Sequence, residues 1–386
     1  MTGSAPTSES RRGSTLQMGT EVRLTRRRFL SRTGALCAVA TMAAPGWAAA
    51  GAPAYLAAAR SVDGAYRLAG LDASGAPIFE LPLPGRGHAA AAHPLRPEAV
   101  AFARRPGAFA LVIDCAAGHE TARLDAPEGR HFYGHGAFSR DGAMLFTTEN
   151  AYQTGEGRIG VWDARDGYRR IGEVASGGIG PHDICLTPDG SMLVVANGGI
   201  RTHPSSGREK LNLDTMRASL AYVRASDGAL QAEARLPEAL RLGSIRHLSV
   251  APDGLVAAAM QWQGDPDEGV PLLAFHRPEW PGLLLAEAEP HVLARMKGYA
   301  GSVSFDAVGR AAAITSPRGG LALAWDRQGA QIAGWAREDV CGIASGAGAG
   351  WVATDGLGGV TLLDKDLAPI AASRAPGAWD NHLVGL

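Results

Sequence analysis

Cysteine is scarce, with four among 386 residues. Cys37 lies near the N-terminus, and Cys115, Cys185 and Cys341 are far apart, so a disulfide framework is excluded. No C-x-x-C-H run occurs, which excludes a covalent c-type haem. The three later cysteines each adjoin apolar residues and read as buried structural thiols. Lysine is scarcer still, confined to positions 210, 297 and 365. Charge is low at 19%, with 37 Lys+Arg against 38 Asp+Glu, and no basic run follows residue 32. Nucleic acid is therefore not an expected partner. Neither G-x-S-x-G nor H-E-x-x-H is present, and no catalytic residue is identified. What the chain has in plenty is apolar residues (46%), 51 Gly and 23 Pro, a composition suited to a large core and many tight turns.

The first fifty residues differ from the rest. They hold seven Arg and two Glu, leaving 30 basic against 36 acidic residues beyond them. Thr25-Arg26-Arg27-Arg28-Phe29-Leu30-Ser31 has the form of a twin-arginine export motif. An apolar stretch from Gly34 to Ala44 follows, too short to stay in a bilayer, and then Ala48-Ala49-Ala50 as a small-residue cleavage site. The order predicts a cleaved signal peptide over residues 1–50 and a periplasmic mature chain, 51–386, with no transmembrane anchor.

A repeat organises the mature chain. Pro181-His182 leads through Thr187-Pro188-Asp189-Gly190 to Met192–Asn197, which reads as a strand, a tight turn and a second strand. Equivalent units start at Gly87-His88, Gly134-His135, Arg246-His247, Gly301-Ser302 and Cys341-Gly342, and a last partial unit holds Asn381-His382. Seven units give about 48 residues each, the size of a four-stranded propeller blade. The C-terminus supplies one strand, and Tyr55–Ala59, Tyr66–Leu71 and Ile78–Leu83 supply three. The expected fold is all-β, a seven-bladed β-propeller with one blade closed by both termini.

In such a blade the start of the first strand and the end of the second share a face. That rule gathers His88, His135, His182, His247 and His382 with Glu149, Asn150, Asn197, Gln261 and Ser316, and with Arg318 just beyond. The long 198–217 connection, carrying Arg201, His203, Arg208 and Lys210, is expected to roof this face and to favour an anionic ligand. Two uses of the histidines stay open: cement between blades, or a binding ring. Neutral imidazoles that converge suit a transition metal, with His135, His182, His247 and His382 as candidate ligands.

Gly129–Gly136, Val195–Pro204, Lys210–Met216, Thr315–Gly320 and Trp379–His382 resemble one family. It is the exported β-propeller family known as domain of unknown function fifteen-thirteen, and the likeness spans about residues 54–386. That family is similar in fold to quinoprotein amine dehydrogenase β-chain-like and surface-layer-type propellers. Its genes sit beside imelysin-type proteins and a di-haem oxidoreductase. The resemblance implies a periplasmic binding or scaffold protein in iron or metal acquisition, with those two as partners. Two enzymatic alternatives use the same face. One is a lactonase-like hydrolase built on Glu149, His182, Asn197 and Arg318, and the other a metal-dependent redox enzyme.

Overall fold

The Thr187–Gly190 turn shows how each repeat folds. In the computed structural model, which describes Met1 and residues 46–104, 108–346 and 350–386, Asp189 Oδ1 accepts from Thr187 Oγ1 at 2.6 Å and from the Ser191 N–H at 3.1 Å. The bonds from Thr187 and then Ser191 hold this carboxyl down at about 2. Gly190 adopts φ 76°, a left-handed conformation that strains a residue bearing a Cβ. The chain thereby reverses from Pro181–Leu186 into Met192–Asn197, which pair antiparallel.

Seven four-stranded sheets result. Their inner strands are Ala378–Gly385 (blade 1), Gly87–Ala92 (blade 2), Arg130–Phe138 (blade 3), Pro181–Leu186 (blade 4), Gly243–Val250 (blade 5), Ser302–Phe305 (blade 6) and Val340–Ser345 (blade 7). Each inner strand packs against the next, and the cycle closes from blade 7 through blade 1 to blade 2. The fold is the seven-bladed β-propeller that the repeat predicts. In blade 1 the C-terminal strand pairs with Tyr55–Arg60, which is followed by Tyr66–Leu71 and Pro77–Leu83. Both termini thus share one sheet, and its inner edge is not left open.

The apolar cores lie between neighbouring blades. Phe275, Phe305 and Trp325 join blades 5 and 6, and Phe102, Phe132 and Trp162 join blades 2 and 3. Burying a side chain of this size contributes about 1.5–3 kcal/mol, so the ring is held by many such contacts rather than one centre. Cys115, Cys185 and Cys341 are free thiols. Burial pushes Cys115 and Cys341 up to about 12 and raises Cys185 as well, so all three are protonated packing groups.

The twin-arginine motif and the apolar stretch after it lie outside the described residues. The alanines of the expected cleavage site belong to a short 3-10 turn, Gly46–Ala50. Ala50 packs in the apolar cluster between blades 1 and 2, and the Trp47 indole donates to His93 O at 2.9 Å. Among the described residues no helix is long and apolar enough to cross a membrane.

Candidate functional site

Five inner strands each carry one histidine of the set, and in each of them the pairing register slips at or beside it. Pro181 and Asp183 face consecutive partners, so His182 is extruded as a bulge. His88 and Ala89 share one partner position, Tyr133 to His135 face only Thr148, and Asp380 to His382 face only Ala58. In blade 5 the extra residue is Arg246, beside His247. A bulge re-aims the side chain it carries, and here it turns polar residues toward the propeller axis. Gly134 allows this: its φ is 102°, and a Cβ there would lie 2.7 Å from the His88 ring.

The five imidazoles form one cluster. Ring centres are 5.6 Å apart for His88 and His182, 4.8 Å for His182 and His247, 4.7 Å for His247 and His382, and 4.6 Å for His382 and His88. These four rings make a closed cycle. His135 neighbours all of them, at 4.9, 5.0, 5.8 and 4.8 Å. Two imidazoles on one ion, with bonds of about 2.1 Å, have ring centres about 4.5 Å apart at a right angle and about 5.5 Å apart at 120°. Their nitrogens then stand about 3.0–3.6 Å apart, and His135 Nε2 lies 3.2 Å from His88 Nε2. Ligand nitrogens converge within 4.8 Å in two triads, His88–His135–His382 and His135–His182–His247.

The chemistry of the cluster fits a metal as well as its spacing does. His135 Nδ1 lies 3.0 Å from Asp183 Oδ1. An ionised carboxylate only accepts, so Nδ1 carries a hydrogen and Nε2 is the nitrogen left to face the other rings. Asp183 also accepts from the Ile184 N–H at 2.8 Å and the Leu248 N–H at 2.9 Å. Burial works to raise the Asp183 carboxyl, but His135 and these bonds outweigh it and leave it below its usual value. The two triads have His135 in common. Burial, then Arg246 and His247, lower His182 far below its usual value. Burial, then His88 and His247, do the same to His382, and burial, then His135, bring His247 down to about 3. These rings are neutral at pH 7, the state a metal ligand needs. His182 Nδ1, His247 Nδ1 and His382 Nε2 are buried without a hydrogen-bond partner. Buried polar atoms left in this way call for an ion or a water.

A cavity of about 300 Å³ opens above the cluster. His88, His182 and His247 form part of its lining, together with Arg104, Arg208, Lys210, Arg246, Arg318, Tyr133, Gln261, Tyr299 and Asn381. His135 and His382 lie behind these three rings and do not line the cavity. Arg318 stacks over the Tyr299 ring at 4.4 Å, and Asn381 Nδ2 donates to the Tyr299 hydroxyl at 3.2 Å. Arg104 pairs with Asp380 at 2.5 Å, and Asp380 also holds Arg86.

Over residues 81–386 the chain matches the family described as protein of unknown function (DUF1513). The chain belongs to this family. No curated protein matches it. Among solved structures, it is similar to hydrazine synthase of Kuenenia stuttgartiensis, with a TM-score of 0.59 and 14% identity over 82% of this chain and 97% of that one. It is also similar to BamB from Moraxella catarrhalis, with a TM-score of 0.54 and 14% identity over 87% of this chain and 86% of that one. At such identity the likeness shows the fold alone. For this member of the family, function has to be argued from the site.

Of the residues expected on this face, the five histidines, Gln261, Arg318 and Lys210 come together, and six others do not reach the cavity. Glu149 is fully buried inside blade 3, where Arg170 grips both its oxygens and Thr147 Oγ1 donates to it at 2.9 Å. Asn197 ties two blades, bonding Ser176 and Ser219. Asn150 Nδ2 donates to Thr202 O at 3.1 Å and so fastens the roof loop. Ser316 Oγ donates to Met296 O at 2.7 Å. In the roof loop Arg201 turns to Gln153 O at 2.9 Å, and His203 caps the short Pro204–Ser206 turn. The hydrolase constellation is thereby taken apart, since its carboxylate and its amide both serve the blades. Arg104, Tyr133, Asp183, Arg246, Tyr299 and Asn381 belong to the site and were not singled out from sequence. Their available signal was adjacency, because Asp183, Arg246 and Asn381 each neighbour a cluster histidine.

Proposed function

We propose that this protein is a periplasmic binding protein that holds one first-row transition-metal ion on His88, His135, His182, His247 and His382, within an iron or metal acquisition system. The observation that carries this reading is the convergence of five imidazoles in two triads that share His135, whose Nδ1 is tied to the Asp183 carboxylate. Such carboxylate–histidine support is the common outer shell of protein metal sites. An all-imidazole donor set suits iron, nickel, copper or zinc and disfavours magnesium and calcium. An ion held there would supply a Lewis-acidic centre beside the cavity, which His88, His182 and His247 line. The chain's own residues orient the rings, and burial keeps His182, His247 and His382 neutral. Asp183 fixes the His135 tautomer, and the bulges aim the side chains.

Export through the twin-arginine route, with cleavage before Gly51, belongs to the same proposal and rests on the N-terminal motif. That route carries folded proteins, so an ion can be loaded before transport. Cleavage at that point removes Trp47 and its bond to His93. An imelysin-type protein and a di-haem oxidoreductase are the proposed partners, on the strength of the family resemblance. The test is purification from native periplasm, with metal content and co-purifying proteins measured on one sample. Wild type should carry about one ion per chain, and a His182→Ala/His247→Ala variant should lose it while still folding. Wild type that is metal-free as isolated and takes up no iron, nickel, copper or zinc would refute the reading.

A further inference from the structure

Among the described residues, the cavity above the histidines is lined by five cations, Arg104, Arg208, Lys210, Arg246 and Arg318, and by no Asp or Glu. The nearby carboxylates are committed: Asp380 is shared by Arg86 and Arg104, and Asp183 serves His135 and two backbone N–H groups. Burial, and then Arg246 and Arg318, lower the Lys210 ammonium, so these like charges act on one another across the space. Walls of one sign focus a field that draws in the opposite charge and repels a bare divalent cation. An ion reaching the cluster through this mouth therefore travels more easily inside an anionic complex than as a free cation. At about 300 Å³ the space sits at the lower end of small-molecule sites, which favours a compact ligand over a peptide or nucleic acid. Arg318 is pre-positioned by its stacking on Tyr299, which Asn381 holds in turn.

We propose that this cavity is a recognition site for a small multivalent oxyanion, a polycarboxylate or a phosphate, held by Arg208, Lys210, Arg246 and Arg318. When the histidine cluster is loaded, the anion would meet the ion from the cavity side, where His88, His182 and His247 line the wall. This second step rests on the metal reading, whereas the anion site itself does not. The roof loop has a role in it. Asn150 and Asn212 pin the loop at Thr202, Arg201 and Gly199, and Arg208 and Lys210 extend from the pinned segment to the cavity. The cargo would then be an anionic metal complex, recognised at its metal by imidazoles and at its carboxylates by guanidinium groups.

The experiment is calorimetric titration of the mature protein with tricarballylate, a tricarboxylate without the chelating hydroxyl of citrate, and separately with inorganic phosphate. Both are run on metal-free and metal-loaded protein at two salt concentrations. The expected result is binding that weakens with salt, weakens at least ten-fold in Arg246→Gln/Arg318→Gln, and tightens on metal loading. Arg165→Gln/Arg169→Gln, the same charge change in two exposed pairs, with Asp141 and Asp166, on the opposite face, should bind as wild type. Preference for tricarballylate identifies a polycarboxylate as the source, and preference for phosphate identifies a phosphate; either supports the site. If neither anion binds in either state, or the double variant binds as well as wild type, the inference is overturned. Metal retention without anion binding would sink this inference and leave the metal reading intact. Anion binding by a protein that takes up no metal would do the reverse.

Discussion

Replacing Asp183 by Asn tests the support of the metal site with one atom changed. The carboxylate now accepts three N–H groups, from His135 Nδ1 at 3.0 Å, Ile184 at 2.8 Å and Leu248 at 2.9 Å. An amide offers one accepting oxygen and one donating nitrogen, so at least one buried donor loses its partner, at about 1–3 kcal/mol. The rearrangement that best relieves this turns the amide NH2 toward His135 Nδ1. The ring then moves its hydrogen to Nε2, and the lone pair aimed at the ion is lost. Loss of an outer-shell partner of this kind weakens metal binding about 10–100-fold, which is about 1.4–2.7 kcal/mol. Two assays on one preparation separate the effects: urea unfolding of the metal-free protein, and competitive metal titration against a chelator. The expected result is a loss in both, with the other four rings still in place. Asp183→Asn with wild-type metal affinity would refute the tautomer argument. A stability loss alone would make Asp183 a purely structural acceptor.

Four further outcomes follow from the same geometry. Glu149→Gln leaves Arg170 facing a buried neutral amide and should cost about 3–5 kcal/mol in urea unfolding, while metal uptake stays at the wild-type level; a neutral effect on stability would contradict the assignment of Glu149 to the blade. The metal-free protein should lose stability as pH falls below the ordinary imidazole value of 6.5, because the unfolded chain takes up protons that buried His182, His247 and His382 refuse. Each ring contributes up to about 1.4 kcal/mol per pH unit, so pH-dependent melting that is flat between pH 7 and 5 would count against neutral buried rings. Deleting Asn381 to Leu386 removes most of the inner strand of blade 1 and exposes the edges of its neighbours; the truncated chain should aggregate or lose cooperative melting, and a wild-type melting curve would refute the shared blade. Arg26→Lys/Arg27→Lys should strand the precursor in the cytoplasm, as read by cell fractionation, and normal periplasmic accumulation would refute twin-arginine export.

The fold was legible because the repeat writes itself in turn residues. Asp189-Gly190, Asp141-Gly142 and Asp253-Gly254 each combine a carboxylate that binds its own turn with a glycine at positive φ. The histidines were legible as a set because they share one place in that repeat. Their use was not, because it depends on bulges. A register slip in an inner strand leaves no mark in hydrophobic alternation, yet it decides whether a side chain faces the axis or the neighbouring blade. The rule that strand-one starts meet strand-two ends places residues on a common face and says nothing of the direction they point. Glu149 obeys the rule and still turns to Arg170, four-square inside its own blade. Arg246 seemed an incidental neighbour of His247 until the bulge put both against the cavity. Arg104 and Tyr299 come from other strands and loops, and their approach is tertiary information that no local spacing carries.

One ion bound by convergent imidazoles is tested most directly by X-ray absorption at the metal edge of protein loaded with one equivalent of copper, nickel or iron. The expected spectrum has a first shell dominated by about five nitrogen donors at about 2.0–2.1 Å, with the multiple-scattering signature of imidazole. That shell should fall apart in the His182→Ala/His247→Ala variant. A shell of oxygen donors in the wild type, or a spectrum unchanged in the double variant, would place the metal elsewhere and contradict the account.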